Sequence, residues 1–227
     1  SYTRTWNWDI VKSVDPETHV FFDDDSAIST YTVDVTKTGF DDTGMEVHGT
    51  ITITNPSTEV ASISVVDSVS GIGAVTTDCP STIAAGATIT CDYSTTLPNI
   101  NSRTNTVTVK VTGLLPEYSD VVDVTFGAPS TEIDPEVTVY DGQQLLDVID
   151  DSYTFTYDKE FSCADVDWDG LSGSKTYPNT AYIDETGQES SASVEVTCYK
   201  LDVSKTAETS YTRTWNWDIV KSVDPET

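Results

Sequence analysis

Apolar and polar residues alternate with a period of two through most of this chain, which is the side-chain repeat of a β-strand. In TRTWNWDIVK, near the start, Trp6, Trp8 and Ile10 fall on one face, and Thr5, Asn7, Asp9 and Val11 on the other. Two indoles on one face anchor a sheet-packing core. The same period recurs in STYTVDVTKT (29–38), MEVHGTITITN (45–55), VASISVVDSV (60–69), ATITCDYST (87–95), RTNTVTVKVTG (103–113) and DVVDVTFG (120–127). Turn-forming residues separate these runs, and seven such strands fit an Ig-like sandwich over residues 1–127. GAPSTEIDPE (127–136) is rich in Pro, Ser and acid and marks a boundary. Beyond it VTVYD, SYTFTYDKEF, NTAYIDE and ASVEVTCYKLDVSK predict a second, smaller β-sandwich over residues 128–209. No segment carries a helical stripe; GQQLLDVID (142–150) has room for a helical turn or two at most. The predicted fold class is all-β, two tandem Ig-like β-sandwich domains forming one repeat of a longer array.

The array follows from a duplication. SYTRTWNWDIVKSVDPET occupies residues 1–18 and again residues 210–227, identical at all 18 positions. Residues 1–209 then read as one full repeat and 210–227 as the start of the next. By the same alternation Tyr2, Trp6, Trp8 and Ile10 correspond to Tyr211, Trp215, Trp217 and Ile219, an interface strand expected to complete or continue the adjacent sheet. No Gly or Pro interrupts the passage from LDVSK into the second copy, so neighbouring domains are expected to join through a continuous strand or a very short, stiff linker. The second unit is short enough to need strand 211–221, and a chain ending near Glu208 is expected to be less stable than the whole.

Charge narrows the partners. With 11 Lys and Arg against 38 Asp and Glu, the net charge is −27. Such a surface repels phosphate backbones and anionic lipid, which argues against nucleic acid and membrane adsorption. There is no initiator Met, signal peptide or bilayer-spanning apolar run, so an export signal is expected elsewhere in a parent protein. Four cysteines allow three pairings. Cys79–Cys91 and Cys163–Cys198 are favoured because each pair stays within one predicted domain, and disulfides place the protein outside the cell or on its surface.

Candidate chemistry is sparse. DVDWDG puts Asp165, Asp167 and Asp169 at alternate positions ahead of Gly170, the opening of an oxygen-rich calcium loop. Position twelve of an EF-hand would be Thr176, so any structural calcium would sit in a shorter loop. Asp23–Asp25 is a weaker candidate of the same kind. Lys12 and Asn105, with Asp34 or Asp67 as the acid, are the residue types of an intramolecular Lys–Asn isopeptide bond. The cysteines lack CxxC spacing for zinc, no glycine-rich phosphate loop occurs, and paired cysteines leave no thiol nucleophile, so no enzyme activity is expected.

Several phrases carry a family resemblance. TITITNPSTEVASISVVDSVSG (50–71), IAAGATITCDYSTTLP (83–98) and RTNTVTV (103–109) follow in that order, and NTAYIDETG (179–187) looks like a weaker second copy of the last. They resemble the conserved repeat domain of bacterial and archaeal surface proteins, the domain-of-unknown-function family numbered eleven. The resemblance covers residues 5–127 well and 136–204 loosely. It implies a secreted Ig-like repeat used as a spacer or adhesin stalk. Identical modules add length without new chemistry. The function expected is a structural subunit of an extracellular filament or surface stalk, whose partners are neighbouring repeats joined as a covalent array or by strand donation. The other reading is a surface adhesin or ligand-binding module using Trp168 and Tyr177.

Overall fold

The computed structural model describes residues 1–23, 25–114 and 116–224. It is all-β. The strands are β1 (Thr3–Asp15), β2 (Thr18–Phe22), β3 (Ser26–Thr43), β4 (Glu46–Thr54), β5 (Ala61–Val69), β6 (Gly73–Val75), β7 (Thr82–Ile83) and β8 (Thr88–Thr96). They continue with β9 (Arg103–Val111), β10 (Glu117–Val124), β11 (Thr131–Ile133), β12 (Val137–Asp141), β13 (Gln144–Ile149), β14 (Tyr153–Ser162), β15 (Ser172–Ile183) and β16 (Glu189–Tyr199). Among the described residues one 3-10 turn occurs, Cys163–Asp165. The segment expected to hold at most a helical turn is β13, which pairs antiparallel with β12 through a turn at Gly142, whose φ of 60° suits glycine.

Strand pairing does not follow the expected boundary at residue 127. One sheet runs β11-β1-β3-β14 and another β13-β12-β15-β16-β2, so residues 1–43 belong with residues 131–199. The division into 1–127 and 128–209 is therefore redrawn: β4 to β10 form a separate unit inserted between β3 and β11. The correction has a physical cause. Alternation fixes which face of a strand is apolar, but not which distant strand that face meets.

The two sheets of the main body pack face to face. Trp8, Ile10, Val33 and Val35 from one interlock with Val137, Val139, Ile149, Ala181 and Ile183 from the other, with Trp6 and Phe155 against them. Further along, Val14, Tyr31 and Phe161 pack on Phe21, Val194, Val196 and Cys198. The Cys163–Cys198 disulfide lies in this second cluster, and Cys79–Cys91 ties the loop before β7 to β8 in the inserted unit. Both are the expected pairs, and disulfides of this kind suggest an oxidising environment.

The inserted unit holds its own core, in which Val69, Val75, Leu97 and Val124 meet Met45, Val47, Tyr93 and Phe126. Its two connections return to the same place. The backbones of Ser1 and Glu46 bond to each other, and Tyr2 stacks edge-on against Phe126 with its ring centre 5.7 Å away. The unit thus hangs from the end of the main body at which β1 begins. Residues 200–224 make no strand and are exposed throughout.

Candidate functional site

Residues 1–18 occupy a seat built by four neighbours. β1 pairs antiparallel with β3 along its whole length, from Thr3↔Thr43 to Asp15↔Thr30, with one register shift at Asn7/Trp8. On its other edge Thr3, Arg4 and Thr5 pair in parallel with β11. Its inner face lies on β15 and β16. Both indoles find acceptors: Trp8 Nε1 donates to the Asp134 carbonyl at 2.9 Å and Trp6 Nε1 to Glu132 at 2.8 Å. Arg4 bonds Asp42 through two nitrogens at 2.8 and 2.9 Å and lies 3.6 Å over the Phe40 ring. Bidentate geometry adds direction to such a pair. The Arg4 guanidinium holds the Asp42 carboxyl below the usual carboxylate range.

Residues 210–224, which repeat residues 1–15, have no seat among the described residues. Trp8 and Ile10 are 4% and 5% exposed, while their counterparts Trp217 and Ile219 are 92% and 93% exposed. Tyr211 and Trp215 are likewise exposed. The sheet takes the strand SYTRTWNWDIVK from the first copy, as β1. The expected completion by residues 211–221 of the same chain is corrected accordingly, and so is the expectation of a continuous strand through residue 209.

One polar cluster sits inside the main body. Alternation that turns Trp8, Ile10 and Val14 inward turns Lys12 inward with them, and its side chain is fully buried. Lys12 Nζ donates to Asp141 Oδ2 at 2.5 Å and to the Tyr157 hydroxyl at 3.2 Å. Asn179 Nδ2 donates to the same hydroxyl at 2.6 Å. The Tyr31 and Tyr157 rings, stacked 5.2 Å apart, lie 4.8 and 5.3 Å from the Lys12 nitrogen. Burial pushes the Lys12 pKa down, against the pull of Asp141. Burial and the Asp141 carboxylate together push the Tyr157 hydroxyl up, so it stays protonated. Asp141 Oδ1 is buried with no hydrogen-bond partner among the described residues.

Lys12 and Asn105 are not brought together. Asn105 lies on β9 of the inserted unit, where its Nδ2 is 3.4 Å from Asp67 Oδ2. Asp34 points outward and accepts from Thr154. Asp141, Tyr157 and Asn179 were not among the residues expected beside Lys12. Their signal is nevertheless in the pattern: VTVYD turns Val137, Val139 and Asp141 to one face, and NTAYI turns Asn179, Ala181 and Ile183 to one face.

The other candidates are dispersed. Asp165 ends the 3-10 turn, where its carbonyl accepts from Lys175, and Asp169 bridges to Ser172 by backbone bonds. Among the described residues no three His, Cys, Asp or Glu side chains converge as metal ligands, Asp165, Asp167 and Asp169 included. Of Asp23–Asp25, Asp24 lies outside the described residues. Trp168 packs on the cluster around Cys163 and Cys198, with Lys200 4.2 Å over its ring, and Tyr177 meets Phe161 edge-on. Both rings are partly buried. No protein-family model matches the chain, and no curated protein matches it.

Proposed function

We propose that this chain is a structural repeat of an extracellular filament or surface stalk, built head to tail from Ig-like β-sandwich modules. The observation that carries the reading is the second copy of the β1 sequence, which is exposed and unpaired while the first copy fills the sheet. A strand with this pattern of apolar side chains suits a seat like that of β1, which the following module of an array would present. The two ends of the repeat support a fixed polarity. β16 ends beside Phe22, at the opposite end of the main body from Thr3, so the tail leaves one end and its counterpart enters at the other. The two disulfides and the acidic surface suit a module that works outside the cell.

Cryo-electron microscopy of material from its source tests this. Continuous filaments with one axial repeat per 209 residues, and main-chain density running from the tail of one module into β1 of the next, are expected. Discrete particles, or single stalks with no such junction, would overturn the proposal and favour a surface adhesin.

A further inference from the structure

Lys12 is an unusual feature for a strand whose other inward residues are apolar. A lysine inside a sandwich carries a large desolvation penalty, and pairing with one carboxylate offsets it only in part. The ionic part of that penalty is removed if the amine is converted to an amide. The groups that conversion requires are in contact with Lys12 or one residue away.

We propose that Lys12 and Asn179 are joined by an isopeptide bond inside the main body, with Asp141 carrying the proton between them. Asp141 pairs with Ala181 in the β12–β15 ladder, so Asn179, two residues before Ala181, is its diagonal neighbour on the inner face. The Tyr157 hydroxyl binds both the Lys12 amine and the Asn179 carboxamide and so holds nucleophile and acceptor side by side. Asp141 touches the amine. Burial lowers the Lys12 pKa, which favours the neutral, nucleophilic amine.

The step balances without any co-reactant. The Lys12 ammonium gives one proton to Asp141, and its freed electron pair attacks Cγ of Asn179. The tetrahedral adduct takes the Asp141 proton on Nδ2 and returns a proton from Nζ to Asp141. The Cγ–Nδ2 bond then breaks, the carbonyl re-forms, and ammonia leaves. A cleft of about 540 Å³ lined by Asp141, Tyr157 and Asn179 gives the ammonia a way out. Asp141 acts as general acid and base, and Tyr157 is a positioning residue. Asp141 itself is the less suitable acceptor, because among the described residues no second carboxylate bonds Lys12 to move the proton.

Intact mass of the full chain after folding and disulfide reduction tests the bond. The mass is expected to fall one ammonia below that of the sequence. Fragmentation should give one branched peptide joining Lys12 to Asn179. Asn179→Ala, a change at a half-buried position, and Asp141→Ala should each show the full mass while still forming the Cys163–Cys198 disulfide. Three results would each overturn the proposal: a full mass for the folded native chain, a deficit that survives in Asn179→Ala, or a branched peptide at Asp141 with loss of water. None of these bears on filament assembly.

Discussion

Deleting residues 1–18 empties the seat of β1 and asks whether a second copy can refill it. The loss is large. Tyr2, Trp8, Ile10 and Val14 are all buried, and at about 1.5–3 kcal/mol per fully buried apolar side chain they contribute about 6–12 kcal/mol. That is comparable with the whole margin of about 5–15 kcal/mol that keeps a domain folded. Without a replacement the main body should not fold. The tail carries the same strand, but reach decides where it can bind. β3 runs from beside the end of β16 to beside the start of β1, and its 18 residues span about 55 Å at ~3.3 Å each. The chain from Tyr199 to Thr212 covers at most about 45 Å when fully extended. The tail therefore falls short of its own seat and must enter another molecule's. A chain of residues 19–227 should form head-to-tail oligomers whose mean mass, by light scattering after size exclusion, rises with concentration. In a chain of residues 19–208 the main body should stay unfolded. In these oligomers Lys221 arrives where Lys12 sat, so a ladder should persist on denaturing gels; oligomers without a ladder would count against the isopeptide bond alone. Folded monomers of 19–227 at every concentration would refute the reach argument. Failure to fold even with added 1–18 peptide would refute the idea of a refillable seat.

Other outcomes follow from single residues. Removing residues 209–227 leaves the melting temperature unchanged, because residues 200–224 make no strand; a drop of several degrees in calorimetry would contradict this. Burial raises the Asp67 pKa, so its contribution is favourable below the unfolded carboxylate value and is lost as pH rises through the folded one. Asp67→Asn should therefore stabilise the chain by about 1–3 kcal/mol at neutral pH, with the gain fading below about pH 4, as read by urea unfolding at both pH values. Gly173→Ala places a Cβ 2.4 Å from the Asp167 carbonyl, whereas Gly49→Ala meets only the movable Tyr93 ring; the first should cost about 1–3 kcal/mol and the second less. Replacing Cys163 and Cys198 by Ala should cost more than replacing Cys79 and Cys91, because the closed loop is 35 residues against 12 and the chain-entropy difference is about 1 kcal/mol.

Much of the strand content was legible from alternation. The six runs after the first strand correspond to β3, β4, β5, β8, β9 and β10, and the set Trp6, Trp8 and Ile10 faces a core as expected, though one shared with Val137, Val139, Ala181 and Ile183 rather than kept within residues 1–127. β6, β7 and β11 escaped notice because two or three residues carry no period. β13 was obscured by its polar start and the adjacent Leu145 and Leu146, which break the alternation. Pairing was the larger omission. Whether β3 meets β4 or the distant β14 depends on contacts more than a hundred residues apart, which a local pattern does not encode. The buried cluster was half legible: Lys12, Asp141 and Asn179 each hold an inward place in an alternating run, but only the folded sheets show that the three places adjoin.

The long antiparallel ladder of β1 on β3 also sets how the body answers a pull. Tension entering at Ser1 and leaving at Lys200 acts along β1, toward opposite ends of the molecule. Thirteen paired positions then carry the load side by side, and the ladder must slip as a block where a hairpin pulled from one end would peel open pair by pair. The inserted unit, attached at one end by two neighbouring connections, lies beside this line of force. Its loops can change without altering the mechanical resistance of the body that bears the strain.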